Sequence, residues 1–146
     1  MSRILIVYHT LSGNTEEAAQ YIAEGAREDG DVRVDVKLAQ DADSEDLLSC
    51  DGFAFGTPDY FGYMAGMVKD FFDRTYYATR DQVDDTPCVA FITHGGGGTA
   101  KDSVLRMCKS FGFDLLAEPV MVRDRPDEDE KEALRNAGRM LSARCR

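Results

Sequence analysis

The chain has 146 residues, of which 43% are hydrophobic and 30% charged, and its formal net charge is −10. This length and composition are typical of one globular domain, so we expect residues 1–146 to form a single domain. The negative charge disfavours nucleic acid and anionic membranes as partners, because both are recognised through Lys and Arg contacts to phosphate. No apolar run is long enough to predict a membrane span.

The N-terminal residues enter an apolar run directly and lack the pattern of a signal peptide, so we expect a cytoplasmic location. The four cysteines are widely spaced and form no C-x-x-C pair, which disfavours a structural zinc site. Cys88 and Cys108 fall in apolar patterns and are predicted to be buried.

The apolar run at residues 4–8 predicts a buried strand, and a short loop follows it before a helical pattern begins. That loop is Thr10-Leu11-Ser12-Gly13-Asn14-Thr15. The first N–H groups of a helix have no internal partner and attract anions. The loop has no Lys, unlike the loops that bind nucleoside triphosphates. It therefore predicts a monophosphate held by uncharged donors, with an ordinary helix N-cap as the alternative.

Strands and helices alternate along the rest of the first half. Apolar spacing predicts a helix at 14–29, and strict alternation at 32–38 predicts a strand at a sheet edge. A short helix or turn follows at 44–49, and Phe53-Ala54-Phe55 predicts a third strand. Apolar residues at helical spacing between 64 and 72 predict the next helix.

The second half continues this alternation. A continuous apolar run at 88–92 predicts a central strand, and a helix follows at about 99–111. The strand-like segment 115–122 contains Pro119, which lacks a backbone donor and indicates an edge. Pro126 is expected to start the last helix. The predicted inward-facing residues of that helix are Ala133, Ala137, Met140 and Leu141.

Five strands alternating with helices imply an α/β fold with a doubly wound parallel sheet and helices on both faces. The second and the fifth predicted strands are the two candidates for the sheet edges, and this matches the strand order 2-1-3-4-5. In this topology ligands bind beyond the carboxyl ends of the strands, at the switch point between strands one and three. The acidic run 127–130 is expected to stabilise the start of the last helix, and a docking patch is the alternative.

Three loops follow the first, third and fourth predicted strands and are expected to meet at one edge of the sheet. The second loop, residues 56–64, carries aromatic residues among glycines, which suit stacking on a flat ring. The third, residues 93–99, contains four consecutive glycines that allow a close backbone approach. Its G-x-G-x-x-A spacing also matches a dinucleotide fingerprint, but that fingerprint belongs after the first strand.

The pattern T-x-[ST]-G-N-T after the first strand resembles the phosphate loop of the flavodoxin-like family. The second loop, G-T-P-x-x-F-G-x-M-A-G followed by K-x-F-x-D, resembles the flavin loop of flavodoxin-like quinone reductases of the Trp-repressor-binding-protein type. The resemblance implies the cofactor FMN. The residues implied to hold it are Thr10, Leu11, Ser12, Gly13, Asn14 and Thr15 for the phosphate, Thr57, Pro58, Asp59, Tyr60, Phe61 and Gly62 for the ring, and Thr93, His94, Gly95, Gly96 and Gly97 for its pyrimidine side.

Two alternatives concern single side chains of these loops. Tyr60, Phe61 and Tyr63 either flank the ring or pack beneath their loop. His94 either contacts the cofactor or a substrate, or simply ends a strand at the surface.

The resemblance leaves two functions open. The first is an electron carrier that acts between redox partner proteins, which the small size and acidic balance favour. The second is a reductase of quinones or FMN that uses NAD(P)H, which the second loop favours. The third loop lacks the aromatic residue usual in carriers, whereas the insertions usual in the reductases are missing. Arg123 and Arg125 are the nearby basic candidates for a dinucleotide. A third, weaker hypothesis is a regulatory domain without flavin.

Overall fold

The computed structural model of the chain describes residues 1–145, and its strands and helices alternate as predicted. Their bounds are β1 (Ser2–Tyr8), α1 (Asn14–Arg27), β2 (Val32–Leu38), a 3₁₀ helix (Ala39–Asp41), α2 (Ser44–Ser49), β3 (Gly52–Tyr60), β4 (Tyr63–Met64), α3 (Gly66–Thr79), β5 (Pro87–His94), α4 (Lys101–Phe111), β6 (Asp114–Leu115), β7 (Val120–Arg123) and α5 (Glu128–Cys145).

The main sheet is parallel, with strand order β2-β1-β3-β5-β6, and β7 also pairs with β5. This confirms the predicted order 2-1-3-4-5, since β5 is the fourth predicted strand and β6 with β7 make up the fifth. Residues of α2, α3 and α4 pack on one face of the sheet, and residues of α1 and α5 pack on the other. The carboxyl ends of β1, β3 and β5 therefore lie together at one edge.

Two predicted strands differ from the observed ones. The third extends to Tyr60 instead of ending at Phe55, because Gly56, Thr57 and Pro58 pair with β5. Most of the expected second loop is therefore strand, and β4 folds back against its end as a short hairpin. The fifth predicted strand is split into β6 and β7, and Pro119 lies in the gap between them.

The last helix begins at Glu128 and not at Pro126. Asp127 accepts a hydrogen bond from the Glu130 N–H at 2.7 Å, and Glu130 accepts one from the Asp127 N–H at 2.9 Å, so the pair caps the helix. The prediction of an inward-facing Ala133 is wrong, because that residue is exposed while Leu134 is buried.

The helix predicted from residue 64 begins at Gly66. The N–H of Met64 donates to Ser103 Oγ at 3.1 Å and that of Ala65 donates to Thr57 Oγ1 at 2.8 Å. These side-chain bonds hold both residues outside the helix. The burial predicted for Cys88 and Cys108 is confirmed.

Helices α1 and α5 cross at a point where two glycines allow contact between backbones. A Cβ on Gly138 would overlap the carbonyl oxygen of Ile22, and one on Gly25 would overlap that of Arg135. This contact fixes α1 against α5. Within residues 1–145, no helix combines the length and the apolar character needed to cross a membrane.

Candidate functional site

A cavity of about 320 Å³ opens at the carboxyl ends of β1, β3 and β5. The three loops singled out in the sequence meet around it. Its lining consists of Thr10, Leu11, Ser12, Asn14, Thr15, Pro58, Asp59, Tyr60, Thr93, His94, Gly95 and Asp124. The other predicted site residues, which do not line it, are Gly13, Thr57, Phe61, Gly62, Gly96 and Gly97.

The first loop leaves the start of α1 open towards this cavity. Gly13 occupies the N-cap position with φ 95°, and no side chain caps the helix. The Thr10 hydroxyl instead accepts a hydrogen bond from the Gly13 N–H at 2.9 Å, which holds the loop. Helices α2 and α5 begin with reciprocal side-chain caps, whereas α3 and α4, like α1, have no side-chain cap. Residues at the start of α1 line the cavity, and the lining described here includes none from the starts of α3 and α4. The ordinary N-cap considered for the loop hydroxyls is therefore not how α1 begins, and its first N–H groups remain available to an anion.

The first and third loops are joined by a hydrogen bond between two threonines. Thr15 and Thr93 are 1% and 4% exposed, and their hydroxyl oxygens lie 2.8 Å apart. The residues are 78 positions apart in the chain, so local sequence pattern contains no indication of this contact. It brings one side chain from each loop to the same wall of the cavity.

The side chains of two residues in the second loop stabilise the conformation of that loop through hydrogen bonds. Thr57 is fully buried, donates to the Pro58 carbonyl at 2.8 Å and accepts from the Ala65 N–H. Asp59 accepts from the Gly62 N–H through one oxygen and from the Ala100 N–H through the other, each at 2.9 Å. A role of the Thr57 side chain in ligand contact therefore finds no support in this geometry.

The aromatic residues of the second loop differ in their environments. Phe61 is fully exposed at a positive φ of 58°, so the alternative that it packs beneath the loop is wrong. Tyr60 lines the cavity and lies edge-on to His9, with ring centroids 6.1 Å apart. Burial raises the pKa of the Tyr60 phenol and lowers the pKa of the His9 imidazole. Burial therefore disfavours the charged form of both side chains.

The histidine of the third loop is hydrogen-bonded within the same loop. His94 Nδ1 accepts a hydrogen bond from the Gly96 N–H at 3.0 Å. The His94 carbonyl accepts from the N–H of Asp124 at 2.8 Å, which places Asp124 at the cavity wall. Asp124 was not among the site residues predicted from the sequence. Its position directly after the last strand was the one signal that could have indicated its place at the cavity.

The two arginines near β7 have different surroundings. Arg125 pairs with Glu17 at 3.1 Å. The guanidinium of Arg123 lies against the third loop, 3.9 Å from the point that a Cβ on Gly96 would occupy. Neither arginine lines the cavity.

The charges of the lining limit which anion the cavity suits. Among the described residues that line it there is no Lys or Arg, and there are two carboxylates, Asp59 and Asp124. An anion there meets hydroxyl and N–H donors without a countercharge. This donor set fits one phosphate group at the start of α1 better than a polyphosphate, which requires more positive charge.

Comparisons with known proteins agree on one family. The sequence profile of the family described as Flavodoxin matches residues 6–138. A flavodoxin of Aquifex aeolicus (strain VF5) is 33% identical over 159 aligned residues, covering 97% of this chain and 86% of that protein. An NAD(P)H dehydrogenase (quinone) of Acidithiobacillus ferrooxidans is 39% identical over 95 residues, covering 51% of this chain and 48% of that protein.

Solved structures show the same architecture. A flavodoxin from the domain Archaea superposes with a TM-score of 0.87 at 22% identity, and the match covers 98% of both chains. At this level of identity the likeness establishes the fold.

Proposed function

Because the chain belongs to the flavodoxin family, we propose that it binds FMN in the cavity described above and transfers electrons between redox partner proteins. The observation that carries the proposal is the uncapped start of α1, which meets hydroxyl donors in a cavity whose described lining has no Lys or Arg. We further propose that residues 1–146 form one such domain and that it acts in the cytoplasm.

The phosphate of FMN would be held by the first loop. The N–H groups at the start of α1 and the hydroxyls of Thr10, Ser12 and Thr15 are the donors that this segment brings to the cavity. Leu11, Gly13 and Asn14 would contribute backbone N–H groups or shape. Holding one phosphate with uncharged donors agrees with the absence of Lys and Arg from the lining described here.

The ring of FMN would lie between the second and third loops. Pro58, Asp59 and Tyr60 line that part of the cavity from one side, and His94 and Gly95 line it from the other. Phe61, Gly62, Gly96 and Gly97 stay predictions as ring contacts. When bound, the flavin supplies the redox chemistry, and the protein supplies binding, orientation and electrostatics.

The charge of the protein favours an electron carrier with a low potential. Asp59 and Asp124 line the cavity, and the whole chain has a net charge of −10. Negative surroundings oppose a gain of negative charge on the ligand, by the same Coulomb argument that shifts pKa values. An acidic surface also speeds encounter with basic partners.

The alternative is a reductase of quinones or FMN that uses NAD(P)H. The match to an NAD(P)H dehydrogenase (quinone) favours it, although the chain spans 48% of that protein. The third loop also favours a reductase, because glycines 95–98 present no side chain that could cover a face of the flavin ring. Arg125 would have to exchange its surface ion pair with Glu17 for a dinucleotide.

Three measurements on purified protein test the proposal. FMN titration should give a stable 1:1 complex, and anaerobic photoreduction should proceed in two resolved one-electron steps. Stopped-flow mixing with NADH or NADPH should bleach the flavin slowly. Rapid two-electron bleaching would establish the reductase instead, and failure to bind added FMN would support the regulatory domain without flavin.

A further inference from the structure

The hydrogen bond between Thr15 and Thr93 raises the question of which hydroxyl is the donor. Each hydroxyl has one proton and two acceptor lone pairs, and the two oxygens are 2.8 Å apart. One shared proton therefore makes the bond, and the other proton is free to point elsewhere. Both side chains line the cavity while being almost fully buried, so bulk water does not replace a lost partner.

The position of Thr15 decides which arrangement an anion would select. Thr15 lies in the first turn of α1, where the N–H groups are uncapped, whereas Thr93 lies at the end of β5. An anion at the helix start accepts protons and donates none. It therefore favours the arrangement in which Thr93 donates to Thr15 and Thr15 donates to the anion. When each hydroxyl in a chain donates to the next one, the hydrogen bonds polarise and strengthen one another.

We propose that Thr93 is a positioning residue for phosphate recognition: its hydroxyl donates to Thr15 and thereby directs the Thr15 proton towards the phosphate of the flavin. This rests on the proposed function, and it changes the role expected for Thr93, which the family resemblance placed at the pyrimidine side of the ring. Thr93 then contributes to the preference for FMN over riboflavin, which lacks the phosphate, without touching the ligand itself.

The test measures the dissociation constants of FMN and of riboflavin for six variants, one of which is a control. Thr93→Val removes the hydroxyl and should weaken FMN binding about threefold to tenfold, with riboflavin binding unchanged. Thr93→Ser keeps the hydroxyl and should restore the FMN affinity. Thr93→Ala is a second hydroxyl-free variant should the valine disturb folding. Because Thr93 acts through Thr15, the double variant with Thr15→Val should bind FMN no more weakly than Thr15→Val alone.

Thr75→Val is the matched control, because Thr75 is also fully buried and its hydroxyl bonds within α3, to the Phe71 carbonyl. It should leave both affinities unchanged. Equal losses for FMN and riboflavin in Thr93→Val, or additive losses in the double variant, would overturn the inference. So would an unchanged FMN affinity. The proposed function fails separately, if the unmodified protein binds neither flavin.

Discussion

Asp59 accepts a hydrogen bond from the backbone N–H of Ala100 at 2.9 Å, and this bond connects the second loop to the start of α4. The other oxygen of the same carboxylate holds the Gly62 N–H in the hairpin turn. One side chain therefore fixes the second loop relative to the third, which ends at α4. Since both loops border the cavity, their spacing depends on this carboxylate.

Replacing Asp59 with Ala should lower the free energy of unfolding by about 1–2 kcal/mol, because two backbone donors lose their acceptor. Hydrogen exchange at the Gly62 and Ala100 amides should accelerate more than exchange elsewhere. Asp73→Ala is the control: Asp73 pairs with Lys69 on the exposed side of α3, and its loss should cost less than about 0.5 kcal/mol. If the Gly62 and Ala100 amides exchanged at equal rates in the Asp59 variant and the parent protein, the role of Asp59 in holding the two loops together would be contradicted.

Gly138→Ala should destabilise the protein strongly, by about 2–4 kcal/mol, because the added methyl group meets the backbone of α1 and not a movable side chain. Chemical denaturation measures the loss. Gly66→Ala is the matched control at the start of α3, where a Cβ has no atom within 4 Å. That variant should be neutral or slightly stabilised. A Gly138 variant as stable as the control would show that the helices separate easily.

Asp46 should make stability depend on pH in the acid range. Its carboxylate is 11% exposed and accepts from Lys37 at 2.9 Å and Arg3 at 3.0 Å. Burial alone would raise the pKa of Asp46, but these bonds outweigh it and hold the pKa below the usual value. The unfolded state then binds a proton more readily than the folded state, so this stabilisation is present above about pH 4 and is lost as pH falls further.

The measurement compares the unfolding free energy of Asp46→Asn with that of the parent between pH 2 and pH 7. The parent should be more stable by about 1–2 kcal/mol at pH 7, and the difference should shrink towards pH 2. Asp70→Asn, which removes an exposed i,i+4 partner of Arg74, should differ little from the parent across this range. A difference for Asp46 that grows on acidification would contradict the assigned sign.

Arg123→Gln should lower the midpoint potential of the bound flavin, because it removes a positive charge that lies against the third loop. The shift should shrink as ionic strength rises. Arg144→Gln changes the net charge equally but pairs with Asp114, at the opposite end of the sheet, and should shift the potential less. Equal shifts for both variants would show that only the overall charge acts.

The sequence predicted the strand order and the meeting of the three loops, because buried runs and loop composition are local properties. It did not predict that β3 continues through Pro58, since that extension depends on pairing with β5. The same holds for Asp124 and for the bond between Thr15 and Thr93, which join distant parts of the chain. Ala133 has the same spacing as the buried Ala137 and Leu141, but in that turn of α5 the buried residue is its neighbour Leu134.

The glycine contact between α1 and α5 has a consequence for how this protein could change over evolution. Gly25 lies 11 residues after Asn14, which is about 16 Å along the helix axis. The anchoring of the helix and the proposed recognition of a ligand thus lie at opposite ends of one element. Mutations at the start of α1 that change ligand binding should accumulate without destabilising the fold. The segment around Gly25 should tolerate almost no substitution.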